Sequence, residues 1–322
     1  MKTAPKETKG KIVSHRRITP AYYLLRIQAP EIALTARPGQ FTMVRLGDLA
    51  DPLLRRPFSF SRIIPPGKKP GSGLAEGGFE ICYQVVGRGT ARMTRLKEGE
   101  RVEILGPLGR GFWREEGCER LILLGGGIGI APLIPWAEEL TGKYTGGKSG
   151  AKGLRVEVLL GGKNSDGLLG IRETKKMGLE PRVATEDGSL GVTGMATDLL
   201  ERELMSKGQE STAIYACGPM AMLARVAQIA EQFDVPCQVL LESRMACGVG
   251  ACLGCAVKIR AEGEKGGKIY PSAQESICGS EEGPEASSRE EMAARIAPAP
   301  SFRYGRVCKE GPVFRAQEIL WE

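Results

Sequence analysis

The chain has 322 residues, of which 42% are hydrophobic and 26% are charged, so it is long enough for two or three domains with apolar cores. Nine cysteines accompany a single histidine, His15, which excludes metal sites that need several histidines and leaves a His-based triad only if His15 serves in it. The net charge of +7 comes without a basic run interleaved with aromatic residues, which argues against nucleic-acid binding.

The chain shows no signal of export or membrane insertion. The amino end lacks the apolar core of a signal peptide. The longest apolar stretch, Leu121 to Ala137, is short of the roughly 20 residues that span a bilayer and contains several glycines and prolines. Together with the odd number of cysteines, this predicts a cytoplasmic protein that does not act in a membrane.

The first hundred residues predict a small β-barrel, because short strands recur at regular spacing between turns. The predicted strands are Lys11–Ile18, Tyr22–Gln28, Gln40–Leu46, Phe58–Arg62, Gly78–Val85 and Arg101–Leu105. The segment Ile64–Gly73 is rich in proline, glycine and lysine and predicts an exposed loop.

From Arg120 the pattern changes to strands that alternate with helices, which predicts an α/β domain with a parallel sheet. The predicted strands are Leu121–Leu124, Leu154–Leu160, Glu180–Thr185, Ala213–Ala216 and Val239–Glu242, with helices ending near Leu140 and spanning about Pro219–Phe233. We therefore predict domains over residues 1–115, 116–240 and 241–322. In the third, residues 279–300 are typical of a solvated insertion with one helix at Ser288–Arg295.

Three cysteines in the last domain have the spacing C-x4-C-x2-C, formed by Cys247, Cys252 and Cys255. This spacing is found in plant-type [2Fe–2S] ferredoxins, where a fourth cysteine follows farther on. Either Cys278 or Cys308 is the fourth ligand, and we favour Cys308 because its surroundings are less polar. The alternatives are a structural zinc site or buried free thiols, but a second C-x2-C pair and further histidines are missing.

Glycines follow the first strand of the α/β domain, at Gly125, Gly126, Gly127 and Gly129. A glycine turn between a strand and a helix start lets backbone N–H groups approach a pyrophosphate, although many such turns bind nothing. Cys217-Gly218-Pro219 also follows a strand and opens a helix, at the same sheet edge. Cys217 either borders a nicotinamide ring or is a small core residue.

The order of these motifs resembles the ferredoxin–NADP reductase superfamily. Arg56-Pro57-Phe58-Ser59 resembles its flavin motif R-x-[YF]-S, and Gly87-Arg88-Gly89-Thr90 resembles its second FAD element. The resemblance implies that Arg56 contacts an FAD phosphate, that Phe58 and Ser59 flank the isoalloxazine, and that Gly89 and Thr90 meet the pyrophosphate. Pro57 and Tyr83 are also predicted to bind the cofactor. The glycine turn and Cys217–Pro219 resemble its two nicotinamide-side loops. The implied architecture is an FAD-binding barrel, an NAD-binding α/β domain and a small [2Fe–2S] domain.

The cysteine loop and the segment Val307-Cys308-Lys309-Glu310-Gly311-Pro312-Val313-Phe314 are similar, within that superfamily, to the electron-transfer subunits of NAD-dependent dihydroorotate dehydrogenases. The resemblance implies that electrons pass from the FMN of a separate catalytic subunit through [2Fe–2S] and FAD to NAD+, in pyrimidine biosynthesis. It also implies a heterotetramer and no catalytic side chain in this chain. Two departures are a long 64–73 loop and an insertion between Cys255 and Cys308.

Two other functions remain open at this stage. One is the FAD/[2Fe–2S] subunit of an NADH-dependent ferredoxin:NADP reductase, whose cluster often uses an aspartate in place of one cysteine. The other is a non-enzymatic metal-binding module, which the intact Arg56–Ser59 and Gly125–Gly129 elements disfavour. A 2′-phosphate usually requires a nearby arginine. Glu186 and Asp187 bring negative charge and Lys163 brings one positive charge, so the choice of NAD over NADP follows mainly from the resemblance.

Overall fold

The amino-terminal part of the chain forms one seven-stranded antiparallel sheet in the computed structural model, which describes residues 4–46, 53–67, 76–142, 153–207, 211–260 and 302–321. Its strands are β1 (Lys6–Arg17), β2 (Tyr22–Gln28), β3 (Phe41–Arg45), β4 (Arg56–Ser59), β5 (Arg62–Ile64), β6 (Gly78–Gln84) and β7 (Arg101–Leu108). They lie in the order β4-β3-β7-β1-β2-β6-β5. Because β4 and β5 are edge strands joined by only a short stretch of chain, the sheet curves until its edges meet. The predicted barrel is confirmed.

The predicted single strand Phe58–Arg62 is wrong, because β4 and β5 are separate strands at a corner of the barrel. The Phe60 N–H donates to Gln40 O, whereas the Ser61 N–H donates to Glu80 O, so the backbone changes partners there. Two short helices, α1 (Pro30–Ala33) and α2 (Arg88–Met93), connect barrel strands.

The middle of the chain forms a parallel sheet with helices, as predicted. Its strands are β8 (Arg120–Gly126), β9 (Arg155–Gly162), β10 (Arg182–Thr185), β11 (Val192–Thr193), β12 (Thr212–Cys217) and β13 (Cys237–Leu240), in the order β11-β10-β9-β8-β12-β13. The helices are α3 (Leu133–Thr141), α4 (Ile171–Lys176), α5 (Ala196–Lys207) and α6 (Met220–Gln232), with 3-10 turns at Gly127–Ile130 and Ser165–Gly167. The strand order reverses between β8 and β12, and such a switch point is where α/β sheets bind ligands.

The carboxyl-terminal segment packs on both preceding units. Strands β14 (Ala256–Arg260) and β15 (Phe302–Arg306) form an antiparallel pair, while β16 (Val313–Arg315) pairs antiparallel with β13 and extends the α/β sheet, before a 3-10 turn at Ala316–Glu318. Its buried residues, among them Cys255, Cys308 and Phe314, share one apolar core with the sheet and with Phe41 and Met43 of the barrel. This shared core fixes the cysteine segment relative to both units.

Several predicted features lie outside the described residues: the 279–300 insertion, its helix Ser288–Arg295, and most of the Ile64–Gly73 loop. The domain boundaries at 115/116 and 240/241 remain a prediction. Among the described helices, none combines the length and apolarity that crossing a membrane requires.

Candidate cofactor sites

A cavity of about 750 Å³ lies between the barrel and the α/β unit, and we call it the barrel cavity. It brings together six residues that the sequence analysis assigned to FAD: Arg56, Pro57, Phe58, Ser59, Tyr83 and Thr90. Strand β4 supplies the first four, β6 supplies Tyr83, and α2 supplies Thr90. Its other walls include Ile128, Pro132 and Met245, from the α/β unit and the cysteine segment.

The polar end of the barrel cavity fits a phosphate group. A Cβ at Gly89 would collide with Arg56 Nε, so the absence of a side chain there lets the Arg56 guanidinium lie against α2. The Thr90 hydroxyl accepts hydrogen bonds from the N–H groups of Val86 (2.9 Å) and Gly87 (3.2 Å), which fixes the turn before α2. Arg55, also in the cavity wall, pairs its Nη2 with Glu7 and Glu103, but its buried Nε has no hydrogen-bond partner among the described residues. A phosphate oxygen would satisfy such a donor.

The apolar end of the barrel cavity is walled by aromatic rings. Tyr83 is only 2% exposed, and its ring contacts Phe58 edge-on with centroids 6.1 Å apart. Tyr23 stacks on Tyr83 at 5.4 Å. Burial raises the pKa of the Tyr83 hydroxyl, so it stays protonated and acts as a hydrogen-bond donor. A flat, uncharged wall of this kind fits the ring system of a flavin.

A second cavity, of about 1050 Å³, lies at the carboxyl edge of the parallel sheet, and we call it the sheet-edge cavity. Among its wall residues are Gly126, Gly127, Gly218 and Pro219, all predicted to contact the nicotinamide cofactor. They lie at the carboxyl ends of β8 and β12, at the switch point of the strand order. Glycine at this place fits a dinucleotide, because the absence of side chains lets a pyrophosphate come close to the backbone.

The other predicted residues of these loops are closely packed in the structure, and the predicted cofactor contacts of Gly125 and Gly129 stay predictions. A Cβ at Gly129 would lie 2.5 Å from the carbonyl carbon of Cys217, and one at Gly125 would lie 2.8 Å from the Cα of Ile130. Neither glycine lines a cavity described here, and nor does Gly89. Cys217 is fully buried, and this burial raises its pKa well above the usual value. Its placement favours the core interpretation, and a contact of Cys217 with a cofactor stays a prediction.

The sequence analysis missed the residues that join the two cavities. Gln84, Ile128 and Glu242 line both, so the barrel cavity adjoins the sheet-edge cavity. Burial raises the pKa of Glu242. The position of Glu242 just after β13 was the available signal, because residues that follow parallel strands lie at the ligand-binding edge.

The cysteine loop, Met245 to Cys255, and Cys308 bring the predicted cluster ligands together in two pairs, Cys247 with Cys252 and Cys255 with Cys308. Burial by itself raises the pKa of Cys247, but hydrogen bonds from the backbone N–H groups of Cys252, Val249 and Ala251 and from the Cys252 thiol lower it to about 6. In the second pair, the Cys308 N–H lies 3.5 Å from Cys255 Sγ. Burial and its neighbours Cys255 and Cys247 raise the pKa of Cys308 to about 12.

The β14–β15 pair explains how two cysteines so far apart in sequence meet. Cys255 directly precedes β14, and Cys308 follows β15 by two residues, while Ala256 pairs with Arg306. The Val307 N–H donates to Cys255 O at 3.0 Å, and Arg306 Nη1 donates to Gly250 O at 3.0 Å. The inserted residues leave from the opposite end of the pair, where Arg260 faces Phe302. Cys278, the rival fourth ligand, lies outside the described residues.

The donor set consists of four thiols, which are soft ligands of the kind that hold iron–sulfur clusters. Cys247 contacts Cys252, and Cys255 contacts Cys308, so the thiols form two pairs. Two pairs fit a [2Fe–2S] cluster with two ligands on each iron. Met245 lines the barrel cavity and precedes Cys247 by two residues, so their Cα atoms are within about 7 Å. The cysteine loop is therefore adjacent to the barrel cavity.

Comparison with known proteins agrees with this arrangement. Residues 242–286 match the family model described as the iron-sulfur cluster binding domain of dihydroorotate dehydrogenase B. This range contains Cys278 and ends before Cys308. The dihydroorotate dehydrogenase B (NAD(+)) electron transfer subunit of Desulforamulus reducens is 33% identical over 97% of this chain and 98% of its own length. The corresponding subunit of Geobacillus thermodenitrificans is 32% identical over 96% of this chain and 96% of its own length.

Solved structures support the same architecture. An NADH-dependent reduced ferredoxin-NADP oxidoreductase is 26% identical with a TM-score of 0.70, covering 97% of this chain and 90% of that one. A ferredoxin NADP+ reductase from Neisseria gonorrhoeae, solved with bound FAD and NADP, shares the fold at 18% identity and a TM-score of 0.56, over 71% of this chain and 92% of its own. Since the full-length similarity is to electron transfer subunits and the cluster segment has its own family match, this chain belongs to the family of dihydroorotate dehydrogenase B (NAD(+)) electron transfer subunits.

Proposed function

We propose that this chain carries electrons between an FMN-containing dihydroorotate dehydrogenase catalytic subunit and NAD(H), in pyrimidine biosynthesis. The observation that carries the proposal is the contiguity of three sites. The sheet-edge cavity shares Gln84, Ile128 and Glu242 with the barrel cavity, and the cysteine loop begins at a wall residue of the barrel cavity, Met245. When bound, FAD supplies the exchange between hydride and single-electron chemistry, and the cluster supplies single-electron transfer.

In this proposal the chain's own residues bind and orient the cofactors. Arg56, Arg55 and Thr90 hold the phosphates of FAD at the polar end of the barrel cavity, and Phe58 and Tyr83 shield its ring system from water. Gly126, Gly127 and Gly218 present backbone to the pyrophosphate of NAD. Electron transfer through cofactors needs no side-chain acid or base, which agrees with the single histidine.

We infer that Cys247, Cys252, Cys255 and Cys308 hold the [2Fe–2S] cluster. The backbone N–H groups directed at Cys247 would stabilise negative charge on its sulfur. Hydrogen bonds to cluster sulfurs are one of the means by which a protein sets the reduction potential. The backbone of the cysteine loop would thus tune the cluster.

We further propose that the catalytic subunit docks over the cysteine loop, in a heterotetramer. Cys252 is exposed, and its neighbours Val249 and Leu253 are 45% and 61% exposed despite being apolar. We expect Leu253→Glu to weaken assembly with the catalytic subunit and to leave reduction of artificial acceptors by NADH intact. The matched control is Met205→Glu, which changes a 64% exposed side chain on α5. Equal assembly of both variants, measured by size-exclusion chromatography of the mixed subunits, would contradict this docking surface.

The decisive experiment is purification of the native complex with cofactor analysis. We expect the chain alone to show flavin and ferredoxin-type absorbance and to reduce dyes with NADH, but to oxidise dihydroorotate only with the catalytic subunit. A purified protein without flavin absorbance and without NADH-driven dye reduction would overturn the proposal.

The second candidate is a subunit of an NADH-dependent ferredoxin:NADP oxidoreductase, which the structural similarity at a TM-score of 0.70 favours. Dihydroorotate-dependent NAD+ reduction by the complex separates the two candidates. We propose NAD as the preferred nucleotide, because the relatives are named NAD(+) subunits and because Glu186 in the sheet-edge cavity repels a 2′-phosphate. Lys163 and Arg225 also line this cavity, so its charge is mixed. We also propose a reducing cytoplasm, which keeps cysteines available for iron.

A further inference from the structure

The only histidine of the chain is held on both sides by hydrogen bonds inside the barrel. His15 Nδ1 lies 3.0 Å from Leu96 O, and His15 Nε2 lies 2.8 Å from the Tyr83 hydroxyl. Since a carbonyl oxygen only accepts, Nδ1 carries a hydrogen and donates to Leu96. In the neutral ring Nε2 then has a free lone pair and accepts from Tyr83.

A β-bulge in β1 directs His15 to this position. Ile12 pairs with Ile27, but the register shifts between Ile12 and Ser14, so that His15 rather than Ser14 pairs with Leu25. Leu25 and Ile27 are fully buried inside the barrel, so the shift moves His15 to the inner face. Bulges redirect side chains in this way and are frequent beside functional sites.

The two partners of His15 come from different elements beside the barrel cavity. Tyr83 lines the cavity near the end of β6, while Leu96 lies three residues after α2, the helix that carries the wall residue Thr90. His15 therefore links the aromatic wall to the segment that follows α2. The rings of His15, Tyr23 and Tyr83 pack together, with centroid distances of 5.4 to 6.0 Å.

We propose that His15 is a positioning residue for FAD, which fixes the Tyr83 ring relative to α2 so that the barrel cavity is shaped before FAD binds. The proposal rests on the proposed function, because it assumes that the barrel cavity binds FAD. His15 does not line that cavity and acts only through Tyr83. Its removal leaves the Tyr83 hydroxyl without its acceptor and frees the ring to move.

The test measures FAD affinity of the full chain, by the quenching of FAD fluorescence on binding, and the visible circular dichroism of the bound flavin. We expect His15→Phe to weaken FAD binding about tenfold, which equals about 1.4 kcal/mol, and to alter the dichroism of the flavin. His15→Gln, whose amide offers one donor and one acceptor, should restore most of the affinity. Tyr83→Phe deletes only the hydroxyl and should weaken binding to a similar extent.

A double-mutant cycle separates positioning from general destabilisation. If His15 acts through Tyr83, the double variant His15→Phe/Tyr83→Phe binds FAD no more weakly than either single variant. The proposal is overturned if the losses of FAD affinity in the two single variants multiply in the double variant, or if His15→Phe binds FAD as tightly as the wild type. Should His15→Phe not fold, wild-type affinity and dichroism in Tyr83→Phe overturn it equally.

Tyr215→Phe is the matched control. It also deletes a buried tyrosine hydroxyl, one that bonds with Trp113 O at 3.1 Å outside the barrel cavity. We expect it to lower the unfolding temperature without changing FAD affinity, and an equal loss of affinity would show that the effect of His15 is not specific. A wild-type chain that binds no FAD would instead refute the proposed function.

Discussion

Gly129 lies where the two glycine-containing loops of the α/β unit touch, and its replacement by alanine tests that packing. The added Cβ would lie 2.5 Å from the carbonyl carbon of Cys217 and 2.7 Å from the Cα of Gly218. Ordinary contacts of a Cβ are 3.4–4 Å, so the loops would have to separate by about 1 Å. Both obstacles are backbone atoms at the end of β12. The loop that contains Gly129 begins at the end of β8, and β8 and β12 are paired up to Gly125 and Cys217. Neither loop can therefore move freely.

We expect Gly129→Ala to lower the free energy of unfolding by about 1–3 kcal/mol, the typical cost of overpacking. The same displacement disturbs the loops that form the sheet-edge cavity. A 1 Å misplacement of a binding element reduces activity by up to on the order of 100-fold. Chemical denaturation measures the first effect, and NADH-dependent dye reduction as a function of NADH concentration measures the second.

Gly126→Ala is the comparison variant, because its Cβ would meet a flexible side chain rather than backbone. That Cβ would lie 2.5 Å from the Met222 sulfur, which can rotate away. We expect a smaller loss of stability than in Gly129→Ala. If Gly129→Ala unfolds at the wild-type denaturant concentration, or if Gly126→Ala is the less stable variant, the packing argument is refuted.

Three further predictions concern the cluster, the interface between barrel and sheet, and the nucleotide. We expect Cys308→Ser to lose the visible absorbance of the cluster and Cys278→Ser to keep it, and the reverse result would identify Cys278 as the ligand. Burial raises the pKa of the Glu138 carboxyl from 4.5 to about 7, so folding favours the protonated form. Its contribution to the free energy of unfolding is therefore complete below pH 4.5 and is lost as the pH rises through about 7. Glu138→Gln should flatten that part of the pH–stability curve, and an unchanged slope would contradict this. Glu186→Arg should raise the preference for NADPH over NADH by about tenfold in kcat/KM, since it replaces a repelling charge with a phosphate-binding one, and an unchanged ratio would place the 2′-position elsewhere.

The barrel, the parallel sheet and three of the proposed cluster ligands could be predicted from sequence, because each depends on local signals. Alternating strands, a strand followed by glycines, and C-x4-C-x2-C act over a few residues. The corner at Phe60 and Ser61 was not predicted, because the sequence of a continuous strand-like run does not show where its backbone changes hydrogen-bond partners. The helix α5 was missed as well, although it packs Leu199 and Leu200 under the sheet.

Length and composition by themselves excluded one class of chemistry for this protein: with one histidine and nine cysteines, it has no site that needs several histidines. Tertiary structure alone decided which residues meet across long stretches of chain. The pairing of Ala256 with Arg306 brings Cys308 beside Cys255, because an insertion at the far end of a strand pair does not change its register. The same holds for His15, whose part in the barrel depends on a one-residue bulge, and for Glu242, which joins the two cavities.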